Sequence, residues 1–281
     1  MITKPIALQL FSVREALSKD MKQTLKEASE MGYEYVEFFF HEIYEDGTFS
    51  EEIPATELRA YMDSLGLRVT TIHVNYHPNL DVENVIRFNK ELGSSGIVLP
   101  AYFFSSKEDA YELAEYCNKM AKIYKEHDLD FYYHNHFHEF EDLGGGETPM
   151  DILLANTDPE LVKIELDAYW AVRAGLDPIA YMDKLGDRLG IVHMKDMQAK
   201  ANPVNLLELF DGPITPDVAF SKLDMTEITE IGNGVLDIKA IVEKAEAIPS
   251  VQYIIVEQDF SAKGELISVK ESLDNLNKLF S

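Results

Sequence analysis

The sequence holds a single cysteine, Cys117, in 281 residues. An intrachain disulfide is therefore excluded, and no CxxC or zinc-finger spacing occurs. No stretch reaches the ~18 consecutive apolar residues of a membrane-spanning helix. Met1-Ile-Thr-Lys-Pro5 leads directly into an apolar run, Ile6–Phe11, without the apolar core and small-residue cleavage site of a signal peptide. The expected location is cytoplasmic. Positive charge is scarce: 25 Lys and Arg stand against 50 Asp and Glu, a formal net charge of -25. Such a surface repels phosphate backbones and anionic lipid, so neither nucleic acid nor a membrane is expected as a partner. A glycine-rich phosphate turn is also missing. The first apolar run continues as Phe11-Ser12-Val13-Arg14, which argues against an open dinucleotide-binding sheet.

What is present is a regular alternation. Hydrophobic residues make up 46%, ample for a sizeable core. Eight short apolar runs read as buried strands: Ile6–Phe11, Tyr35–Phe39, Arg68–Val74, Gly96–Leu99, Asp130–Tyr133, Leu161–Leu166, Leu189–His193 and Tyr253–Glu257. Between them lie stretches with apolar residues at three- and four-residue spacing, predicting helices over Met21–Met31, Ala55–Leu65, Val82–Leu92, Lys107–His127, Met150–Asn156, Pro178–Lys184 and Ile238–Ala247. Glycine follows Met31, Leu65 and Leu92, where a helix stop belongs. Eight βα units without a composition shift predict an α/β fold, a single (β/α)8 TIM barrel occupying residues 1–281. The stretch Met197–Ile231, with Pro203, Pro213 and Pro216, is long for a connection and is a candidate lid.

In such barrels chemistry sits at the C-terminal strand ends. Here those ends are polar. Gln9 lies on the first run, Glu37 on the second and His73 on the third. The fifth leads into His134-Asn135-His136, with His138 and Glu139 just after. The sixth ends Glu165-Leu166-Asp167, the seventh His193-Met194-Lys195-Asp196, and the eighth Glu257-Gln258-Asp259. A lone imidazole beside an apolar run is ordinarily a hydrogen-bonded core residue, and one carboxylate can simply cap the next helix. The coincidence of several at one mouth decides otherwise. Carboxylates packed that closely repel and are forced to protonate unless a cation joins them. Mixed nitrogen and oxygen donors suit a divalent zinc, manganese, cobalt or ferrous ion rather than calcium.

These residues resemble the xylose isomerase-like TIM barrel superfamily, in its sugar phosphate isomerase/epimerase group. The resemblance runs through Leu8-Gln9-Leu10-Phe11-Ser12-Val13-Arg14, Tyr133-His134-Asn135-His136, Glu139-Phe140, Glu165-Leu166-Asp167-Ala168-Tyr169-Trp170, Val192-His193-Met194-Lys195-Asp196, Gly232-Asn233-Gly234 and Val256-Glu257-Gln258-Asp259. It implies a divalent metal held by His134, Asp167, His193 and Glu257. Epimerases of the superfamily usually carry glutamate where His134 stands, which leaves a second acid/base group to be sought among Glu257, Glu139, Lys195 and His136. Related abasic-site endonucleases use an extra histidine where Trp170 stands; that difference and the acidic surface speak against DNA repair.

The resemblance implies an isomerase or epimerase of a sugar or keto-sugar, in which a metal-polarised carbonyl acidifies the neighbouring C–H and an enediolate forms. The alternative is a dehydratase or lyase acting on a keto-inositol or 3-keto-glycoside, and a third class is a non-catalytic sugar binder. Gln9, Glu37, His73, Trp170 and Arg173 are the candidate substrate-binding residues. Phe38, Phe39, Phe40 and Tyr102 offer an apolar wall. No cluster of phosphate-binding groups is evident, and assembly into a homo-oligomer is compatible with the sequence.

Overall fold

Alternation of side chains along short strands sets the architecture, because successive residues point to opposite faces of a sheet. The computed structural model describes residues 2–40 and 43–281. Its strands are β1 (Ile6–Gln9), β2 (Tyr35–Phe39), β3 (Arg68–His73), β4 (Gly96–Leu99), β5 (Asp130–His134), β6 (Val162–Asp167), β7 (Leu189–Met194), β8 (Asp196–Met197), β9 (Ile228–Thr229) and β10 (Tyr253–Val256). Eight of them close into a barrel in the order β1-β10-β7-β6-β5-β4-β3-β2, every neighbour parallel. The main apolar core lies between strands and helices. A small separate cluster, Ala7, Val98, Tyr132, Ile191 and Ile255, plugs the barrel interior.

Helices Met21–Met31, Ala55–Leu65, Val82–Leu92 and Ile238–Ala247 keep the bounds that periodicity predicts, and Gly32, Gly66 and Gly93 end the first three in the left-handed conformation. The long central helix runs Lys107–Lys125, opened by a capping box between Ser106 and Asp109. Strand β1 stops two residues short of Phe11, since the Gln9 side chain accepts the Phe11 N–H and turns Leu10–Val13 into a 3-10 helix. The C-terminal helix Glu265–Leu279, in which Leu266, Val269, Leu273 and Leu276 recur at three- and four-residue spacing, adds to the helices predicted above and also buries Ser268 and Ser272. No described helix is long and apolar enough to cross a membrane.

The stretch from residue 197 to 231 is not structureless. The antiparallel pair β8–β9 closes its base, and it carries the helix Pro216–Lys222. Asp196 anchors its return by accepting the N–H groups of Met197, Gly232, Gly234 and Leu236. Only glycine fits at position 234: a Cβ there would lie 2.2 Å from Asp196 Oδ1.

Candidate metal and substrate site

Four of the five plug residues or their strand-mates dictate what stands above them. Two positions after Ala7, Tyr132, Ile191 and Ile255 come Gln9, His134, His193 and Glu257, so the same inward face turns from apolar to polar over one step. The polar side chains form two tiers. In the lower one, Glu37 accepts from Gln9 Nε2 at 2.8 Å and from the Thr71 hydroxyl, and Glu165 accepts from His73 Nε2 at 2.8 Å. In the upper one, the Lys195 ammonium lies 2.9 Å from Asp167, 2.8 Å from Glu257 and 3.0 Å from Asp259.

Two imidazoles join the tiers, each showing a different ring nitrogen to each. His134 Nδ1 donates to Glu165 at 3.0 Å while its Nε2 lies 3.9 Å from Asp167 Oδ2. His193 Nε2 faces Glu37 at 2.7 Å and Glu165 at 3.0 Å, and its Nδ1 faces Glu257 at 2.8 Å. Ligand atoms of His134, Asp167, His193 and Glu257 thus fall within 4.8 Å of one another, as do those of His73, His134, Glu165 and His193. The donor set fits a divalent transition ion. One carboxylate oxygen buried there, Glu165 Oε2, has no hydrogen-bond partner, and Asp167 Oδ2 has the Lys195 ammonium but no N–H or O–H aligned on it, which a coordinated ion or an adjacent ligand would remedy. The upper set suits the ion better, because each of its imidazoles then keeps a carboxylate on the other nitrogen, the arrangement that sets tautomer and ring orientation.

Charge follows from these contacts. Burial opposes ionisation of Glu37, but the His73 and His193 charges outweigh it and hold the carboxyl well below the carboxylate range. Burial and the Glu37 charge likewise oppose ionisation of Glu165, yet His193, His73 and His134 keep it at about 2. His73 is raised to about 10 by Glu37 and Glu165 against the pull of burial. Burial keeps His134 neutral. Lys195 stays charged despite its burial, because three carboxylates surround it.

The structure places the remaining sequence candidates differently. His73, His134, His136 and Glu257 line a cavity of 340 Å³ at the barrel mouth, together with Asp259, a strand-end residue given no role above, and Asn75, which sequence reasoning did not single out. Gln9, Glu37, Asp167, His193 and Lys195 lie buried among the tiers. Asp167 has two uses: Oδ1 caps the helix Ala168–Arg173 through the Trp170 N–H, and Oδ2 faces the site. Glu139, pushed up to about 8 by burial, accepts the Tyr133 hydroxyl and the His136 N–H, and so positions His136. Arg173 is turned to the insertion instead of the mouth. Its guanidinium donates to the Val204 and Pro203 carbonyls and the Tyr169 hydroxyl, and pairs with Glu227 at 2.7 Å. Glu165 was legible as a strand-end carboxylate but not as the hub of three imidazoles; its i, i+2 spacing from Asp167 is the signal that puts both on one face.

One buried histidine nearby makes stability depend on pH. His138 stacks on Phe103 with ring centroids 4.0 Å apart and donates to the Tyr102 carbonyl. Burial pushes it down to about 3, against an unfolded value near ~6.5. A base depressed in the folded state contributes fully above the unfolded value and loses that contribution as pH falls from there toward about 3. Exchange for glutamine, which keeps a donor and does not titrate, should therefore cost less at pH 5 than at pH 7, by roughly 2 kcal/mol at ~1.4 kcal/mol per unit. Urea unfolding of both proteins at the two pH values measures this; a constant difference would show that His138 does not titrate alone.

The family model described as a xylose isomerase-like TIM barrel matches residues 25–279. The chain belongs to that family. Among solved structures, a sugar phosphate isomerase/epimerase from Parabacteroides distasonis superposes with a TM-score of 0.74 at 25% identity, covering 98% of this chain and 94% of that one. The IOLI protein with a bound zinc atom shares the fold at 12% identity and a TM-score of 0.73, covering 99% and 98%. An inosose dehydratase from Clostridium tetani is 33% identical over 96 residues, which is 33% of this chain and 30% of that protein, so the match spans about a third of each.

Proposed function

We propose that this chain is a metal-dependent isomerase or epimerase of a sugar or keto-sugar, breaking a C–H bond next to the substrate carbonyl. The observation that carries this reading is the convergence of His134, Asp167, His193 and Glu257 at one point, with His134 and Glu257 reaching the wall of the mouth cavity. A divalent ion held by these four side chains would supply the Lewis acidity that lowers the pKa of the α-hydrogen. The chain's own groups do the rest. Glu257 turns Oε2 to His193 and Lys195, and Oε1 takes the proton. The Lys195 ammonium stabilises the negative charge that develops on the substrate oxygens. Glu37 and Glu165 hold the imidazoles in one orientation and do not touch the substrate.

A second reading, a dehydratase or lyase, rests on a specific asymmetry. Glu257, Lys195 and Asp259 all follow from β7 and β10, whereas the facing carboxylates Glu37 and Glu165 are held by His73, His193 and Thr71. Elimination on one face of a ring needs only one such wall. Similarity to an inosose dehydratase supports the same alternative.

Incubation of the metal-loaded protein with a panel of keto-sugars in heavy water tests both. Deuterium should enter the carbon next to the carbonyl; an isomer of otherwise unchanged mass identifies isomerisation, and loss of water or an aglycone identifies elimination. Turnover without any exchange overturns the proton-transfer reading.

A further inference from the structure

Next to the mouth cavity lies a second one of 370 Å³, more apolar than the first, which is also walled by Phe11, Phe39 and Phe40 but carries His73, His134 and Glu257. The two share Phe11, Ala101, His136, Phe220 and Asp259, so they adjoin and are taken together as two lobes of the mouth. The second lobe is walled by Phe103, Phe137, Trp170, Leu223, Met225 and Phe260. Each volume by itself falls within the range of small-molecule sites, ~300–1,000 Å³. We infer that the substrate has two parts: a polyhydroxylated ring in the polar lobe, and an uncharged, flat apolar group attached to it in the second. The inference rests on the reading of the polar lobe as the sugar site.

Charge narrows the class of that group. Arg14 is the one Lys or Arg lining the apolar lobe, and it is already engaged: it donates to the Phe11 and Asp259 carbonyls and lies over the Phe11 ring. The lobe's carboxylate, Asp259, is paired with Lys195. Among the described residues the lobe thus offers a single guanidinium, two of whose nitrogens already serve carbonyls, amid largely apolar walls, so burying a charged substituent there is disfavoured. The walls are largely aromatic, and flat rings pack on such walls by stacking or edge contacts. His138 already stacks on Phe103 at one side of the lobe.

Phe220 supplies the closing element. It sits on Pro216–Lys222 of the stretch 197–231, lines both lobes and yet is 72% exposed, the most exposed of the large apolar side chains among the described residues. An aromatic ring left in water over an apolar cavity gains contact area when a second apolar group fills the space beneath it. Phe220 therefore covers the junction of sugar and substituent, and the insertion recognises the substituent, not the sugar.

Trp170 is the chain's single tryptophan and lines the apolar lobe; because it also lies 5.3 Å from Lys195, its emission reports on that lobe through the difference between two ligands at one metal state. The probes are phenyl β-D-glucopyranoside and methyl β-D-glucopyranoside, titrated by calorimetry and by Trp170 emission into metal-loaded and metal-stripped protein. The phenyl compound should bind about tenfold more tightly than the methyl compound and shift the emission, which the methyl compound should not. Phe220→Ser and, separately, Leu223→Glu should bring the ratio of the two affinities toward one, with melting temperatures of the variants showing that they fold. Equal binding of the two glycosides, or a preference that survives both substitutions, overturns the inference. A phenyl-dependent emission shift in stripped protein, with no deuterium exchange in loaded protein, upholds the apolar lobe and sinks the proposed chemistry. Exchange with indifferent glycoside binding sinks the bipartite substrate alone.

Discussion

Glu257→Gln should lower the rate of deuterium exchange into the substrate by about 10²–10⁴-fold, the range associated with loss of a positioned general base. The side chain is the one carboxylate that belongs to the converging set and also lines the mouth cavity. Burial disfavours its charge, but Lys195 and His193 more than compensate and hold it ionised, so it is available to accept a proton across the ordinary pH range. Glutamine preserves shape and an oxygen donor for the ion while removing the basic oxygen. Metal content measured on the same sample separates the two losses. Exchange that persists with metal bound moves the base to Glu139 or His136, the other candidates from the sequence, of which His136 lines the mouth cavity. Exchange lost together with metal assigns Glu257 to coordination only.

Glu165→Gln should have the largest effect on stability and a clear one on metal affinity. Its Oε1 accepts from His73 and His134 and faces His193 at 3.0 Å, with Glu165 and His193 fully buried and His73 and His134 reaching the cavity wall. Removing one partner of a buried charged group costs about 3–5 kcal/mol. The lower end is expected here, since His73 and His193 can each shed a proton when the opposing charge goes. If Glu165 acts by orienting His134 and His193, the ion binds roughly 10–100-fold more weakly. Denaturant unfolding of metal-free protein and metal titration measure the two effects independently. Unchanged stability would contradict the hydrogen bonds described. Complete loss of metal from a protein that still folds would assign the ion to the set His73, His134, Glu165 and His193 instead.

Much of this protein is legible without coordinates, for identifiable reasons. The eight strands show as apolar runs because parallel barrel strands are buried on both faces, and the helix ends at Gly32, Gly66 and Gly93 show because a left-handed residue is required there. Residues at strand ends could be gathered into one candidate site because barrel closure brings all such ends to a single axis. In the helix Glu265–Leu279 the apolar spacing is legible, but the burial of Ser268 and Ser272 is not, because their hydroxyls bond to Ser261, Glu230 and the Ile231 backbone, contacts no periodicity encodes.

What only the tertiary structure decided is which polar group faces which. Arg173 and Lys195 are each a basic residue close behind a strand end, yet one is drawn to Glu227 and the carbonyls of the insertion and the other sits among Asp167, Glu257 and Asp259. Glu165 and Glu37 read as two acidic side chains on separate strands, and only closure makes them the shared partners of three histidines. The lobe beside the mouth is assembled from side chains more than two hundred positions apart, Phe11 and Phe260 among them. Local sequence determines the face on which a side chain lies, because that depends on the backbone's own period. Hydrogen-bond partners, retained charge and the shape of a cavity depend on distances between strands and loops far apart in the chain, and those distances come into being only when the barrel closes.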